Sequence, residues 1–377
     1  MQKICFNRNL LYGCGALEGL SDLIKGKGER CLLVTGKSSL KSSGLFSYIT
    51  NLLKKGGVKD IKIFEVQGEP DTVIVERCVE SSKDVKFVVA VGGGSVIDTA
   101  KASCGLLTNK GPVERYMELT NTTEKFINDP LPLFAIPTTA GTGSEASQNA
   151  VILSKKDSIK ASIRDSRLLP EGVILDPEMI LNVPENIAAY SGMDALVQLI
   201  EAYTGKKTVT LLDSLIEDAI RRIKNSFFIY IKDRKNKDAA SDMLLASYIS
   251  GFALANIGLG AIHALARPLG SAGIPHGLIC AILLPYVIEK NIEYNRPRFD
   301  KIAEIFEIKE RSKRLADFFY NMNRKLDIPQ SLKNFSQIIP DINIIIEKSK
   351  GGSLKNNPKE LSDNDIEEII TNALKGK

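Results

Sequence analysis

The first half of the chain alternates short, continuous apolar runs with segments of helical pattern. The apolar runs end at or near glycine or proline, and they cover residues 31–35, 61–66, 87–91, 133–136 and 172–175. A strand that is apolar on both faces is typical of a parallel sheet covered by helices, whereas a half-exposed strand alternates apolar and polar residues. The first half therefore predicts an α/β fold built on a parallel sheet.

The pattern changes after Pro184, where strand-like runs end and long helical patterns begin. The helical patterns cover residues 186–204, 209–231, 238–257, 260–270, 277–290, 297–306, 310–325, 331–348 and 362–374. Ser362 followed by Asp365 is a candidate N-terminal cap for the last of them. We therefore predict an α/β domain over residues 1–183 and an all-α domain over residues 184–377.

Composition argues against several classes of protein. The chain of 377 residues has 50 lysines and arginines against 45 acidic residues, a net charge of +5 that is weak for a nucleic-acid binder. Its apolar runs are shorter than the roughly 18 residues that cross a bilayer. The six cysteines form no C-x-x-C pair, and residues 1–8 lack the apolar core of a secretory signal. We expect a cytoplasmic protein with free thiols that binds neither nucleic acid nor membrane.

Two polar, glycine-containing loops follow predicted strands. The first runs from Gly92 through Gly93, Gly94 and Ser95 into a helical pattern, and the second covers residues 137–145 with the letters PTTAGTGSE. Glycine lets a backbone approach a ligand closely, and a helix N-terminus offers free N–H groups to phosphate. Each loop alone could equally be a tight turn or a helix cap. Because ligands bind at the carboxyl ends of parallel strands, two such loops together indicate a ligand site.

The chain contains two histidines, His263 and His276. This number excludes any site that requires three histidines. Asp194 and Gln198 are four residues apart in a helical pattern, so they lie on one helix face. An acidic residue and two histidines from neighbouring helices could bind one divalent cation. On spacing alone, a lone helical histidine is more often a packed or capping residue.

Together these segments resemble the iron-containing, or group III, alcohol dehydrogenases over nearly the whole chain. The most specific matches are residues 92–101, 137–145, 176–177, 192–195, 258–264 and 275–277. The resemblance implies the fold shared with dehydroquinate synthase: an α/β dinucleotide-binding domain, an all-α metal domain and an active site in the cleft between them. It also implies cofactor contacts by position, from Gly93, Gly94, Ser95, Asp98, Thr138, Thr139, Thr142 and Lys160.

Two residues depart from the family pattern. One affects how the metal is bound, and the other affects how a proton would be transferred near the substrate. The family binds its metal with one Asp and three His, but the second ligand position here is Gln198, whose amide oxygen is a weak, neutral ligand. Asp194, His263 and His276 remain as ligands with Gln198 assisting, for Fe²⁺ or for Zn²⁺. Arg267 stands where many members have a histidine near the substrate, and it stays charged. We expect it either to bind an acidic group of the substrate or to form a structural salt bridge.

A third departure follows the first predicted strand. NAD-preferring members often carry an aspartate where Gly36 stands, which would repel the 2′-phosphate of NADP. Gly36 removes that repulsion, while Lys37, Ser38 and Lys41 offer hydrogen-bond donors. We therefore expect a preference for NADP(H), with NAD as the alternative.

The resemblance implies reversible hydride transfer between a small alcohol or aldehyde and the nicotinamide, in a homodimer, with Asp194, His263, Arg267 and His276 as the catalytic residues. Two other hypotheses about the function remain open. One is a zinc enzyme like glycerol dehydrogenase or dehydroquinate synthase. The other is a non-catalytic dinucleotide-binding homologue whose metal site has decayed.

Overall fold

The computed structural model describes residues 4–37, 40, 44–119 and 123–376. The chain forms two compact units. One comprises Met1–Thr139 and Gly143–Val183, and the other comprises Ala140–Thr142 and Pro184–Lys377. The short Ala140–Thr142 segment of the second predicted loop therefore belongs to the unit formed by the C-terminal half.

The first unit is built on a parallel sheet, as predicted. Its strands are β1 (Asn9–Tyr12), β2 (Arg30–Gly36), β3 (Asp60–Val66), β4 (Phe87–Gly92), β5 (Leu133–Pro137), β6 (Asn149–Ser154), β7 (Ile159–Arg164) and β8 (Gly172–Leu175). Its helices are α1 (Leu20–Leu23), α2 (Leu45–Lys55), α3 (Thr72–Ser81) and α4 (Gly94–Leu106). Within the described residues, six strands form one sheet in the order β1-β8-β5-β4-β2-β3, while β6 and β7 pair antiparallel. Residues of β4 and β5 are buried throughout, which explains their continuous apolar runs.

The strand order reverses between β2 and β4. The chain runs from β2 outward to β3, then crosses back to place β4 on the other side of β2, and β5 extends the sheet from there. The ends of three neighbouring strands are in register, because Thr35 pairs with Val91 and Gly92 pairs with Pro137. A crevice outside the carboxyl ends at such a reversal is where open α/β sheets bind ligands.

The sequence prediction omitted three strands. β1 is a short edge strand whose residues alternate between exposed and partly buried, so it has no continuous apolar run. The β6–β7 hairpin contains polar residues such as Ser154, Lys160 and Ser162, which interrupt its apolar pattern. Strands at an edge or in a separate hairpin need fewer apolar residues than central strands, and their signal in the sequence is weaker.

The second unit is helical, as predicted. Its helices are α5 (Glu185–Thr204), α6 (Thr210–Lys232), α7 (Lys237–Asn256), α8 (Ala261–Ser271), α9 (His276–Asn291), α10 (Arg296–Ile305), α11 (Leu315–Lys325), α12 (Ile342–Ser349), α13 (Gly352–Asn356) and α14 (Asp363–Lys375). The Ser362 side chain and Asp365 form the predicted capping box at the start of α14. The predicted helix over residues 331–348 is wrong in its first part. Pro340 cannot donate a backbone hydrogen bond, and α12 begins after it with Asp341 as the cap.

Helix α5 is the centre of the second unit. Its residues 192–204 are all buried, and it packs against α6, α7 and α9. Two glycines allow this close packing. A Cβ on Gly192 would lie 2.4 Å from the Phe227 ring of α6, and one on Gly277 of α9 would lie 2.2 Å from the Tyr190 carbonyl oxygen of α5. The start of α9 therefore touches the backbone of α5 directly.

No single helix of the described residues is long and apolar enough to cross a membrane. Helices α7 and α8 taken together have the length and composition of a membrane-spanning segment, but the chain bends by 100° between them.

We predict that Gly277→Ala weakens the contact between α9 and α5. The added methyl group meets backbone atoms of Tyr190, which cannot rotate away, and overpacking of this kind costs about 1–3 kcal/mol. The thermal unfolding midpoint should fall by about 2–10 °C. Gly352→Ala is the matched control, because nothing lies within 4 Å of its added Cβ. Equal midpoints for the two variants would contradict the predicted clash.

Candidate metal centre and nucleotide-binding loops

Asp194 lies in the buried middle of α5, where its side chain is 4% exposed. Its Oδ1 atom is 3.3 Å from Nε2 of His263 on α8 and 3.6 Å from Nε2 of His276 on α9. Three helices thus bring one carboxylate and both histidines of the chain together. A buried carboxylate needs a positively charged or hydrogen-bonding partner, and the two imidazole rings can be such partners of Asp194.

Glu201 holds His263 in its orientation. Its Oε2 atom accepts a hydrogen bond from Nδ1 of His263 at 2.6 Å, and its Oε1 atom accepts one from the backbone N–H of Ile262 at 2.6 Å. One carboxylate therefore fixes the imidazole and satisfies a free N–H at the start of α8. The proton on Nδ1 leaves Nε2, the atom that faces Asp194, available as a ligand when a metal ion binds, as in sites where a carboxylate orients a metal-binding histidine.

Cys280 lies one turn after His276 on α9. Its Sγ atom is 3.7 Å from Nε2 of His276 and 3.9 Å from Nε2 of His263. The sulfur is buried, whereas the side chain of His276 is 36% exposed. The cluster can therefore be reached by a small molecule on the side of His276.

These four side chains fit a divalent cation. Their ligand atoms all lie within 4.8 Å of one another. A tetrahedral ion bound at ~2.0–2.3 Å holds its ligand atoms about 3.3–3.6 Å apart, close to the shorter distances measured here. The donor set of carboxylate, imidazole and sulfur is one that zinc and iron accept.

The charges of the cluster also favour a cation. Burial opposes ionisation of Asp194, but His276, His263 and Gln198 lower the pKa of Asp194 below its usual value. Burial likewise lowers the pKa of His263, yet Cys280, Asp194 and Glu201 outweigh it and raise the net pKa well above the usual value. A proton on His263 compensates negative groups that a metal ion would otherwise neutralise.

Gln198, the residue at the second family ligand position, has protein partners for its amide. Its Nε2 donates to the Thr142 carbonyl oxygen at 3.3 Å, and its Oε1 accepts from the Ser250 hydroxyl at 3.2 Å. Gln198 also contributes to the lowered pKa of Asp194. The predicted assistance of Gln198 as a metal ligand stays a prediction. Thr142 enters this network through its carbonyl group.

Arg267 lies one turn after His263 on α8. Its Nη2 atom donates to the carbonyl oxygen of Lys348 on α12 at 2.8 Å. That hydrogen bond connects α8 with α12. It is neither a contact with an acidic substrate group nor a salt bridge, the two roles expected from the sequence. Binding of an acidic substrate group by Arg267 stays a prediction.

In the first unit, the two predicted loops meet at the carboxyl ends of β4 and β5. The backbone N–H of Thr138 donates to the Gly92 carbonyl oxygen at 3.1 Å, and a Cβ on Gly93 would lie 3.1 Å from Thr139 Oγ1. Helix α4 begins at Gly94 without a capping side chain from its N-cap residue Gly93 and without an acidic residue in its first turn. The predicted contact residues Gly93, Gly94, Ser95, Thr138 and Thr139 are thus neighbours in sequence or space.

A buried ionic cluster supports these loops, and the sequence did not reveal it. The Lys101 ammonium on α4 donates to the hydroxyl of Ser144 at 3.1 Å, to the hydroxyl of Ser147 at 3.0 Å and to the carbonyl oxygens of Ser144 and Asn149. Asp98, a predicted cofactor contact, accepts from the Ser144 hydroxyl and from the Val151 N–H. Burial lowers the pKa of Lys101 to about 8 although Asp98 and Glu145 oppose the shift.

Of the remaining predicted cofactor residues, Gly36 and Lys37 lie at the same end of the sheet and Lys160 lies in the hairpin. Gly36 ends β2, and the exposed Lys37 after it donates to Gln67 Oε1 at 2.9 Å. Lys160 lies on β7, and its Nζ is 2.9 Å from Glu69 Oε2. Ser38 and Lys41 lie outside the described residues.

Sequence reasoning missed Glu201 and Cys280, although a spacing rule points to both. Glu201 follows Asp194 and Gln198 at the interval of one helix face, and Cys280 follows His276 by four residues. This spacing places each residue on the same helix face as a predicted ligand, but it does not show that the side chains reach the histidines, because that depends on how the helices cross.

Comparison with known proteins places these features in a family. The sequence model of "iron-containing alcohol dehydrogenase" matches residues 7–177, and that of "Fe-containing alcohol dehydrogenase family, C-terminal" matches residues 188–374. Alcohol dehydrogenase 4 of Saccharomyces cerevisiae strain YJM789 is 32% identical over 369 residues, 96% of each chain. The NADPH-dependent butanol dehydrogenase of Clostridium saccharobutylicum is 30% identical, over 98% of this chain and 97% of its own. The solved structure of sulfoacetaldehyde reductase from Bifidobacterium kashiwanohense in complex with NAD⁺ matches with a TM-score of 0.89, 27% identity and 99% of each chain.

We predict that Glu201→Gln weakens metal binding by about 10–100-fold, the usual cost of losing a partner that orients a ligand. The amide cannot accept from Nδ1 with the strength of a carboxylate, so the His263 ring is held less firmly. Metal dissociation constants, measured by competition with a chelator, test this prediction.

Glu217→Gln is the control for that variant, because Glu217 accepts from the Tyr203 hydroxyl elsewhere in the same unit. It should leave the metal dissociation constant unchanged. If Glu201→Gln also leaves it unchanged, Glu201 does not position His263.

Proposed function

The chain belongs to the iron-containing alcohol dehydrogenase family, and from this premise we propose that it catalyses reversible, metal-dependent hydride transfer between a small alcohol or aldehyde and a nicotinamide dinucleotide. In this proposal residues 1–183 bind the dinucleotide and residues 184–377 hold the metal. The observation that carries it is the convergence of Asp194, His263 and His276, whose ligand atoms lie within 4.8 Å of one another and could hold one cation.

Each side chain of the cluster has a separate task. Asp194, His263 and His276 would hold the ion, and Glu201 keeps the ring of His263 turned toward it. A divalent metal bound there supplies a Lewis acid that polarises a carbonyl oxygen or favours loss of the alcohol proton. The partly exposed edge of His276 gives a small substrate access to the cluster.

The hydride and the proton leave the alcohol separately. A bound nicotinamide would accept the hydride of the carbinol carbon, and the hydroxyl proton would leave to solvent; aldehyde reduction would reverse both transfers. Arg267 stays protonated at neutral pH, so it cannot carry that proton. We keep for Arg267 the task of attracting an acidic group on the substrate, since it lies one turn from His263. The predicted homodimer and cytoplasmic location also stay proposals.

We expect Asp194→Ala and His276→Ala each to abolish both bound metal and turnover. Each variant removes one of the protein ligands proposed for the ion, and the ligands that remain cannot hold it firmly. Metal content by mass spectrometry and oxidation of ethanol, butanol and glycerol with either cofactor are the measurements. Asp238→Ala removes an exposed aspartate at the start of α7 and should change neither. Full activity in a metal-free Asp194 or His276 variant would refute the role of the metal.

The proposed dinucleotide site lies at the reversal of strand order between β2 and β4. The start of α4 offers backbone N–H groups for the pyrophosphate, and Gly93 allows the close approach that this requires. We propose NADP(H) as the preferred form, because β2 ends at Gly36 and is followed by Lys37. The NADPH-dependent butanol dehydrogenase supports this choice, while the NAD⁺ complex of the sulfoacetaldehyde reductase represents the alternative.

We predict that Gly36→Asp shifts the preference from NADPH toward NADH. A carboxylate at the end of β2 repels a 2′-phosphate and accepts from a ribose hydroxyl, so the ratio of kcat/KM for NADPH over NADH should fall about tenfold or more. Asn334→Asp adds the same charge at an exposed position of the second unit and serves as the control. A wild-type enzyme that clearly prefers NADH would contradict the proposed preference for NADP(H).

A further inference from the structure

We propose that Cys280 is a fourth protein ligand of the metal, which makes the site an Asp-His-His-Cys centre of zinc type that would expand from four ligands to five when substrate binds. The inference rests on the proposed function in one respect: the same Asp194, His263 and His276 hold the ion. It departs from the family pattern, in which a third histidine stands at the position of Gln198.

The position of the sulfur carries this inference. Cys280 Sγ lies 3.7 Å from His276 Nε2 and 3.9 Å from His263 Nε2, and it is within 4.8 Å of the Asp194 carboxylate. In a tetrahedral site with a bond of ~2.3 Å to sulfur and ~2.0–2.1 Å to nitrogen, those two nitrogen–sulfur distances would be about 3.6 Å. Both nitrogen–sulfur distances therefore lie within a few tenths of an ångström of those of a tetrahedral site.

The surroundings of Cys280 differ from those of other buried cysteines in the chain. Cys31 and Cys104 pack within the apolar clusters of the first unit, and burial raises the pKa of Cys31 to about 12. Such a thiol behaves as a small apolar side chain. Cys280 is equally buried, but its sulfur faces two imidazole nitrogens instead of apolar side chains alone.

The amide of Gln198 leaves the fourth position to the sulfur. Its Oε1 accepts from Ser250 and its Nε2 donates to the Thr142 carbonyl oxygen, so both ends of the amide bond to protein groups. Cys280 reaches the cluster from α9 with the same four-residue spacing that places His276 beside it. Gln198 is thus held by Thr142 and Ser250, and Cys280 would supply the ligand.

The chemistry of this set favours zinc. Binding forms one metal–sulfur bond and releases the thiol proton to solvent, because the thiolate is the ligand form of cysteine. One carboxylate and one thiolate among the ligands then offset the 2+ charge, and the buried Glu201 carboxylate adds a further negative charge beside His263. Thiolate with imidazole suits Zn²⁺, whereas Mg²⁺ and Ca²⁺ select oxygen ligands.

X-ray absorption at the zinc edge of the zinc-loaded, full-length protein tests this inference. The wild type should show one sulfur scatterer at about 2.3 Å beside nitrogen and oxygen at ~2.0–2.1 Å. Cys280→Ala and Cys280→Ser should lose the sulfur scatterer and bind zinc at least about tenfold more weakly. Cys14→Ser removes an exposed thiol and should keep the wild-type spectrum.

The wild-type spectrum decides the matter even if a Cys280 variant fails to fold. Stoichiometric zinc without a sulfur scatterer overturns the inference, as does a sulfur signal that persists in Cys280→Ser. Alcohol oxidation by the same wild-type preparation is measured separately. Turnover without a zinc–sulfur bond removes the ligand proposal and leaves the proposed function, whereas a zinc–sulfur bond without turnover does the reverse.

Discussion

The hydrogen bonds of the Glu201 carboxylate are the interaction on which the metal centre depends. One oxygen accepts from His263 and the other from the backbone of Ile262, so the same group orients a ligand and anchors the start of α8. The negative charge is favourable there because the N-terminus of a helix carries partial positive charge. Since Glu201 and Asp194 lie on one helix, the rigidity of α5 fixes the distance between the carboxylate that orients the ring and the carboxylate that would share the ion with it.

The two units compensate their buried charges with different groups. In the second unit, negative groups surround two imidazoles and a point that a cation can occupy. In the first unit, Lys101 is the buried cation, and serine hydroxyls and backbone carbonyls surround it. Burial raises the pKa of Glu145, the neighbour of Ser144, to about 7. Charges buried this way are costly, and they persist where they hold a functional loop or a ligand in place.

Central elements were predictable from the sequence because burial on all sides leaves an unbroken apolar run. This held for β2, β4 and β5 and for the long helices after Pro184. The edge strand β1 and the β6–β7 hairpin lack such runs. The helix predicted over residues 331–348 begins only after Pro340. The cluster of Asp194, His263 and His276 was anticipated through family resemblance. The contacts of Glu201 and Cys280 depend on how three helices cross, which no local pattern in the sequence records.

The most direct test of the metal centre is anomalous diffraction from crystals of the metal-loaded protein, recorded at the absorption edges of zinc and iron. We expect one strong peak within about 2.0–2.3 Å of the Asp194 carboxylate and of Nε2 of both His263 and His276. A stoichiometric ion located elsewhere, or crystals of active enzyme without a peak at these three side chains, would contradict the assignment.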